Sequence, residues 1–134
     1  MNLREAVYTK LNDAALLAVA PGGVHNTLAP LHTPMPYVVF QVVGSEVQWT
    51  LGARVSESYE VQVRVVAEGL DPEPIEAAKA EILRLLDDAT LPVTEREAWV
   101  CRCIGEIPDY AESEPSGAII SHGGYRFRVI LAGA

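Results

Sequence analysis

The plainest pattern in the chain is an alternation near its middle. Val55, Tyr59, Val61, Val63 and Val65 alternate with Ser56, Ser58, Glu60, Gln62 and Arg64, and only Glu57 breaks the apolar set. A period of two predicts a half-buried strand. Ahead of it, Thr33-Pro34-Met35-Pro36 leads into Tyr37 to Val43, an apolar run without clean polar alternation. Proline biases the residue before it toward extended geometry and is tolerated at a strand's start. The run therefore predicts a strand buried on both faces, paired antiparallel with the alternating one. Gly44-Ser45-Glu46 is a turn signal, after which Val47 to Leu51 extends the first strand or opens a hairpin.

Helical spacing appears on either side of this pair. Asn2 and Glu5 have capping-box spacing, and Leu3, Val7, Leu11, Ala14 and Ala15 follow on one face. Asn12-Asp13 can break that helix and cap a second short piece, Ala14 to Val19, which Ala20-Pro21-Gly22-Gly23 then ends. Val24 to Met35 is long for a connection, with Val24 to Leu28 a possible short strand. Asp71-Pro72 opens the next helix, with Ile75, Ala78, Ile82, Leu85 and Leu86 as its apolar stripe and an end near Asp88.

Trp99 to Ile107 predicts a third strand, with Trp99, Cys101 and Cys103 on one face and Arg102 and Glu106 on the other. Asp109 to Gly117 reads as an acidic loop. The last strand carries Tyr125, Phe127, Val129 and Leu131 against Arg126 and Arg128; Ala118 to Ser121 can pair before it, with Gly123-Gly124 as a bulge or bend. The sum is one α+β domain over residues 1–134. It has two layers, a mainly antiparallel sheet of about four strands, and two helices on one face, in the order α-β-β-α-β-β.

At 134 residues one domain suffices, and it can bury a core without staples. Eighteen acids against 10 bases give a net charge of −8, which argues against an electrostatic nucleic-acid footprint. Cys101 and Cys103 sit at i and i+2, about 7 Å apart on a strand and at or beyond disulfide reach, so a reducing compartment is expected. Met1-Asn2-Leu3-Arg4-Glu5 is not a signal peptide, and no apolar run is long enough for a bilayer, so no membrane partner is expected.

Candidate chemistry is sparse. His25, His32 and His122 lack metal-ligand spacing, and Cys101-x-Cys103 lacks the gap of a zinc knuckle. Neither a nucleophile elbow nor a phosphate-cradling loop is present. Cys101 beside His122 would be a nucleophile pair only if the fold joined them, and Asp109, Glu112 and Glu114 read as a solvated acidic loop before an acid/base set. Trp49, at an uncertain strand end, suits an interface as well as a core. The expectation is no enzyme, no cofactor and no metal.

Several strings carry a resemblance. Gly22-Gly23-Val24-His25-Asn26 precedes a loop rich in Ala, Pro and Leu. Thr33 to Gln41 resembles a Leu-Pro-Tyr-Val-Val-Tyr-Gln-like strand. Glu57 to Val66 with Pro74 to Leu86 resembles a valine-rich strand and its Ala/Leu helix, and Tyr125-Arg126-Phe127-Arg128-Val129 resembles a closing strand. Together these are similar to the tail-completion (tail-terminator, or head–tail joining) proteins of long-tailed bacteriophages and phage-like particles. The family has no catalytic residues to carry over.

The resemblance implies a virion protein of the tail neck, assembled in the bacterial host cytoplasm. It would form a ring, a hexamer, on the head-proximal end of the tail tube. The ring would stop tube polymerisation, dock the head connector or stopper protein, and let genomic DNA pass without specific binding. Edge strands and head-to-tail contacts suit such closure. An acidic lumen is expected, with Asp109, Glu112 and Glu114 as its lining. The proline-rich approach and its neighbours, His25, His32, Pro34, Pro36 and Trp49, are the expected subunit or ring interface. The alternatives are a head-completion adaptor of the connector, a domain of another machine such as a contractile injection system, and, from a different class, a small cytosolic ligand-binding or enzyme subunit.

Overall fold

The computed structural model describes residues 2–50, 53–93 and 98–132; at residues 45, 48–50, 53–55, 98 and 99 only the backbone is described. The N-terminal cap forms as its spacing predicts. The Asn2 side chain accepts from the Glu5 N–H at 2.9 Å, the Glu5 carboxylate accepts from the Asn2 N–H at 3.3 Å, and α1 runs Leu3–Leu11. Asp13 then caps a separate α2, Ala14–Val19, accepting from the N–H groups of Ala15 and Leu16. The third helix, α3, spans Glu73–Leu86; Pro72 is its N-cap residue, and Asp71, one residue earlier, accepts from the Glu73 N–H at 3.0 Å. With α2 distinct the described residues form three helices rather than two.

Among the described residues the sheet has five strands in the order β1-β2-β3-β5-β4: β1 Val24–Asn26, β2 Tyr37–Thr50, β3 Ala53–Glu68, β4 Ala98–Ser113 and β5 Ile119–Ala132. The extra member is β1, three residues that pair parallel to Val38–Phe40 of β2. All other pairings are antiparallel, and α+β is the class.

The helices cover one face of the sheet. Val38 and Phe40 of β2, Val61, Val63 and Val65 of β3, and Phe127, Val129 and Leu131 of β5 meet Val7, Leu11, Leu16, Ile82 and Leu86 there. Glu57, the one polar residue in the alternating set, is buried on this face, and its carboxylate accepts from the Tyr59 hydroxyl.

Four local expectations are corrected. The first concerns β2, which is not buried on both faces: Val38 and Phe40 are in the core, whereas Gln41 and Val43 are exposed, because no layer covers the far side. In the second, Asp109 to Ser113 belong to β4, and only the stretch after them turns, with the Gly117 N–H bonded to the Glu114 carbonyl.

The third is that β5 runs straight through Gly123-Gly124 in register with Val65 and Arg64. Gly124 is needed for contact, not for a bulge: a Cβ there would stand 1.9 Å from the Val63 carbonyl oxygen. The irregularities lie in β4 instead, between Ala98 and Val100, Cys103 and Gly105, and Ile107 and Tyr110.

The fourth follows from the second of these bulges. One extra residue flips the alternation, so Arg102 pairs opposite Arg128 on the bare face while Glu106 pairs opposite Tyr125 and reaches the helix side.

Candidate functional site

Two regions of the expected site meet at one end of the sheet. The loop after β1 returns through Leu28 (81% exposed) and Leu31 (87% exposed) to the start of β2. It crosses the otherwise uncovered sheet face beside the β4–β5 turn. There it forms a cleft of about 410 Å3 lined by Pro30, Leu31, Met35, Tyr37, Ile120 and His122, with Glu112 and Glu114 also on its wall. Val66, Ile120 and His122 are buried at this end although they lie on the outer face.

The loop is anchored by the glycine pair. The Gly22 N–H donates to the Pro36 carbonyl at 3.0 Å and the Val38 N–H donates to Gly23 at 2.9 Å. A Cβ on Gly22 would lie 1.9 Å from the Pro34 carbonyl oxygen, so only glycine fits against the proline segment. The Met35–Pro36 peptide is cis. His25, on β1, holds the Gly22 carbonyl through Nε2 at 2.8 Å and meets the edge of the Tyr37 ring at 6.0 Å. His32 is exposed at the cleft, in the left-handed region at φ 66°. Pro34 is exposed and Pro36 half-buried. The Trp49 side chain lies outside the described residues.

The three acids have separate surroundings. Glu112 meets His122 Nε2 at 2.8 Å, and the His122 ring stacks on Tyr110 at 4.3 Å. Asp109 turns to the helix side, 3.8 Å from the Lys79 ammonium. Glu114 is exposed in the turn. Burial, and after it the charges of Glu112 and Glu114, push the Tyr37 phenol above its ordinary value, which places both carboxylates within electrostatic reach of the cleft.

Sequence reasoning missed Lys79. Its side chain is 3% exposed, with Glu76, Glu106 and Asp109 at 3.7, 3.7 and 3.8 Å and the Tyr125 ring 5.0 Å away. A signal existed: Lys79 falls four residues after Ile75 and three before Ile82, inside the apolar stripe. His122 carried no such signal, since alternation alone puts it on the uncovered face.

The fold does not join Cys101 and His122. Cys101 pairs opposite Val129 and His122 opposite Tyr110, seven residues apart along β5. Burial, with the nearby Asp87 charge, pushes the Cys101 thiol up to about 12, so it is not a ready thiolate. Among the described residues no cluster of His, Cys, Asp or Glu has the grouping of a metal site, and no helix is long and apolar enough to cross a membrane.

Among the described residues the fold is a two-layer domain with most of one sheet face uncovered, and exposed Leu31 meets the carboxylates of Glu112 and Glu114 at one end of that face. Residues 5–103 match the family described as Tail completion protein gp17, and the chain belongs to that family. It is thus a structural protein of a phage-type tail, located in the tail or neck of a virion. The fold is similar to that of a chain in a solved structure, "Virion of native gene transfer agent (GTA) particle". The TM-score is 0.73 at 18% identity, over 98% of this chain and 96% of that one. No curated protein matches the chain in sequence.

Proposed function

We propose that this protein forms a closed ring, a hexamer, at the head-proximal end of the tail tube. There it ends tube polymerisation, joins the tail to the head connector and leaves a channel for DNA. The observation that carries the reading is the convergence at one end of the sheet. Solvent-facing Leu31, the proline segment and the carboxylates of Glu112 and Glu114 all meet there. Exposed apolar side chains held on an anchored loop are a contact for another subunit or the next ring. His25, Pro34 and Pro36 set the loop's path, and His32 joins its contact surface. Glu112 and Glu114 turn a negative edge to the channel, which repels phosphate and lets DNA slide, while Asp109, held by Lys79 on the helix side, extends the acidic end of the domain around the rim of the sheet.

Mixing the purified protein with tail-tube subunits tests this. Rings should appear at one end of the tubes in electron micrographs, and tube length should stop increasing. A protein that ignores tubes and binds only the head connector would be a head-side adaptor instead. An assembled ring with all three acids on its outer wall would remove the channel assignment.

A further inference from the structure

We propose that the arginine-bearing outer face of the sheet docks on the acidic helix side of a second copy of this chain, and that this contact closes the ring. The inference rests on the ring reading above and adds the two surfaces that meet. Four of the chain's 10 basic residues, Arg64, Arg102, Arg126 and Arg128, lie on the uncovered face, although the chain as a whole carries −8.

Register places Glu60, Arg128 and Arg102 in one row across three strands, and Gln62 and Arg126 in the next. Arg102 and Arg128 stand directly opposite each other, an arrangement that costs stability when it faces only water. Glu60 takes Arg126 at 3.4 Å, and Asp88 takes Arg102 at 3.5 Å with both side chains largely in solvent. Arg128 is exposed with no ion pair among the described residues, and Arg64 Nε is buried without a hydrogen-bond partner. Val39, Val43 and Ile130 lie half in solvent around them.

On the opposite side of the domain, the complementary charge gathers around the start of α3. Asp71, Glu73 and Glu76 are exposed at the start of α3, and Glu76, with Glu106 and Asp109 of β4, meets a single buried ammonium, that of Lys79. Glu76 and Glu106 remain 58% and 65% exposed while they do so. Joining opposite faces of identical subunits is a head-to-tail contact, the kind that closes rings. Strand addition at β4 is a poor alternative, because three register breaks and Pro108 interrupt that edge. Four strands of 14 to 16 residues, about 4.8 Å apart, give a face of roughly 700–900 Å2 before side-chain relief, comparable with the ~800 Å2 each partner gives to a stable interface.

The test uses the full chain in analytical ultracentrifugation. Wild-type assemblies should lose mass toward monomer as salt is raised, since the contact is ionic. Arg102→Glu with Arg128→Glu, and separately Glu73→Lys with Glu76→Lys, should each weaken assembly by about tenfold or more. Mixed in equal amounts, the two should regain the wild-type mass as alternating rings, because each reversed face then meets its complement. Glu73→Gln with Glu76→Gln is the milder variant, and melting curves verify that every variant folds.

The proposal is overturned if either reversed variant assembles like wild type, if mixing restores nothing, or if mixing yields only two-chain particles. It is also overturned if the arginine changes abolish duplex-DNA binding and leave assembly intact. Wild-type rings with indifferent variants would remove this contact but leave the ring reading standing. A wild type that stays monomeric even with tubes would remove both.

Discussion

Lys79 on α3 places its ammonium 5.0 Å from the centroid of the Tyr125 ring on β5. That contact, with carboxylates from Glu106 and Asp109 beside it, fastens the helix layer to the far half of β4. The side chain is buried while its three acidic partners stay more than half exposed. The aliphatic stem therefore packs as a core residue while the charge is satisfied at the rim. Lys79→Met should keep stability within about 1 kcal/mol, because a buried ion pair is replaceable by an apolar side chain of similar volume. Lys79→Glu should cost about 3 kcal/mol or more, since it buries a fourth carboxylate among three. Urea unfolding of both variants measures the contrast.

Two glycines should answer differently to alanine. At Gly124 the added Cβ would lie 1.9 Å from a β3 carbonyl oxygen and 2.9 Å from the Arg64 Cα, both backbone atoms that cannot step aside. Gly124→Ala should cost about 3 kcal/mol or more, by prying β5 from β3. Gly44 has φ 68° and open space around its Cβ position. Gly44→Ala should cost only about 1 kcal/mol, from left-handed backbone strain. Equal losses at both positions would contradict the register described for β3 and β5.

What the sequence made legible was local, and what it hid was relational. The alternation from Val61 to Val65, the capping box at Asn2 and Glu5 and the stripe on α3 each follow from one element's own periodicity. The apolar run of β2 misled because a strand's sequence does not say how many layers will cover it. Bulges in β4 were illegible for a related reason. Gly105 and Pro108 hint at irregularity, but which face Glu106 meets depends on pairing with Tyr125, far along the sequence on β5. The cleft has the same character. The proline loop and the acids at 112 and 114 were each singled out, yet only the sheet order brings them together.

Alkaline pH should destabilise the fold through Cys101. Burial raises its thiol from 9.0 to about 12, so the folded state holds the neutral form after the unfolded chain has ionised. The contribution is intact below pH 9 and is lost as pH rises toward the folded value. The slope is about 1.4 kcal/mol per pH unit in that window. Tyr37 and Tyr125, both raised mainly by burial, act in the same direction above pH 10. Urea midpoints taken from pH 8 to 11 should fall, and Cys101→Ala should flatten the first part of the decline. Thiol alkylation at pH 8 should reach half-buried Cys103 well before Cys101.

Leu31 offers the sharpest separation of function from stability. Its side chain is 87% exposed, so folding gains little from it, and Leu31→Asp should change unfolding free energy by no more than about 0.5 kcal/mol. If the loop meets a neighbouring subunit or ring, the same substitution places a carboxylate at an apolar contact that already has Glu112 and Glu114 beside it. Desolvating that charge next to two others should abolish tube capping while the melting curve stays put. Leu31→Met keeps the apolar surface and should cap normally, which separates loss of contact from a nonspecific effect of altering the loop. Normal capping by Leu31→Asp would show that the loop faces solvent in the assembled tail, and the interface would have to be sought on the arginine face instead.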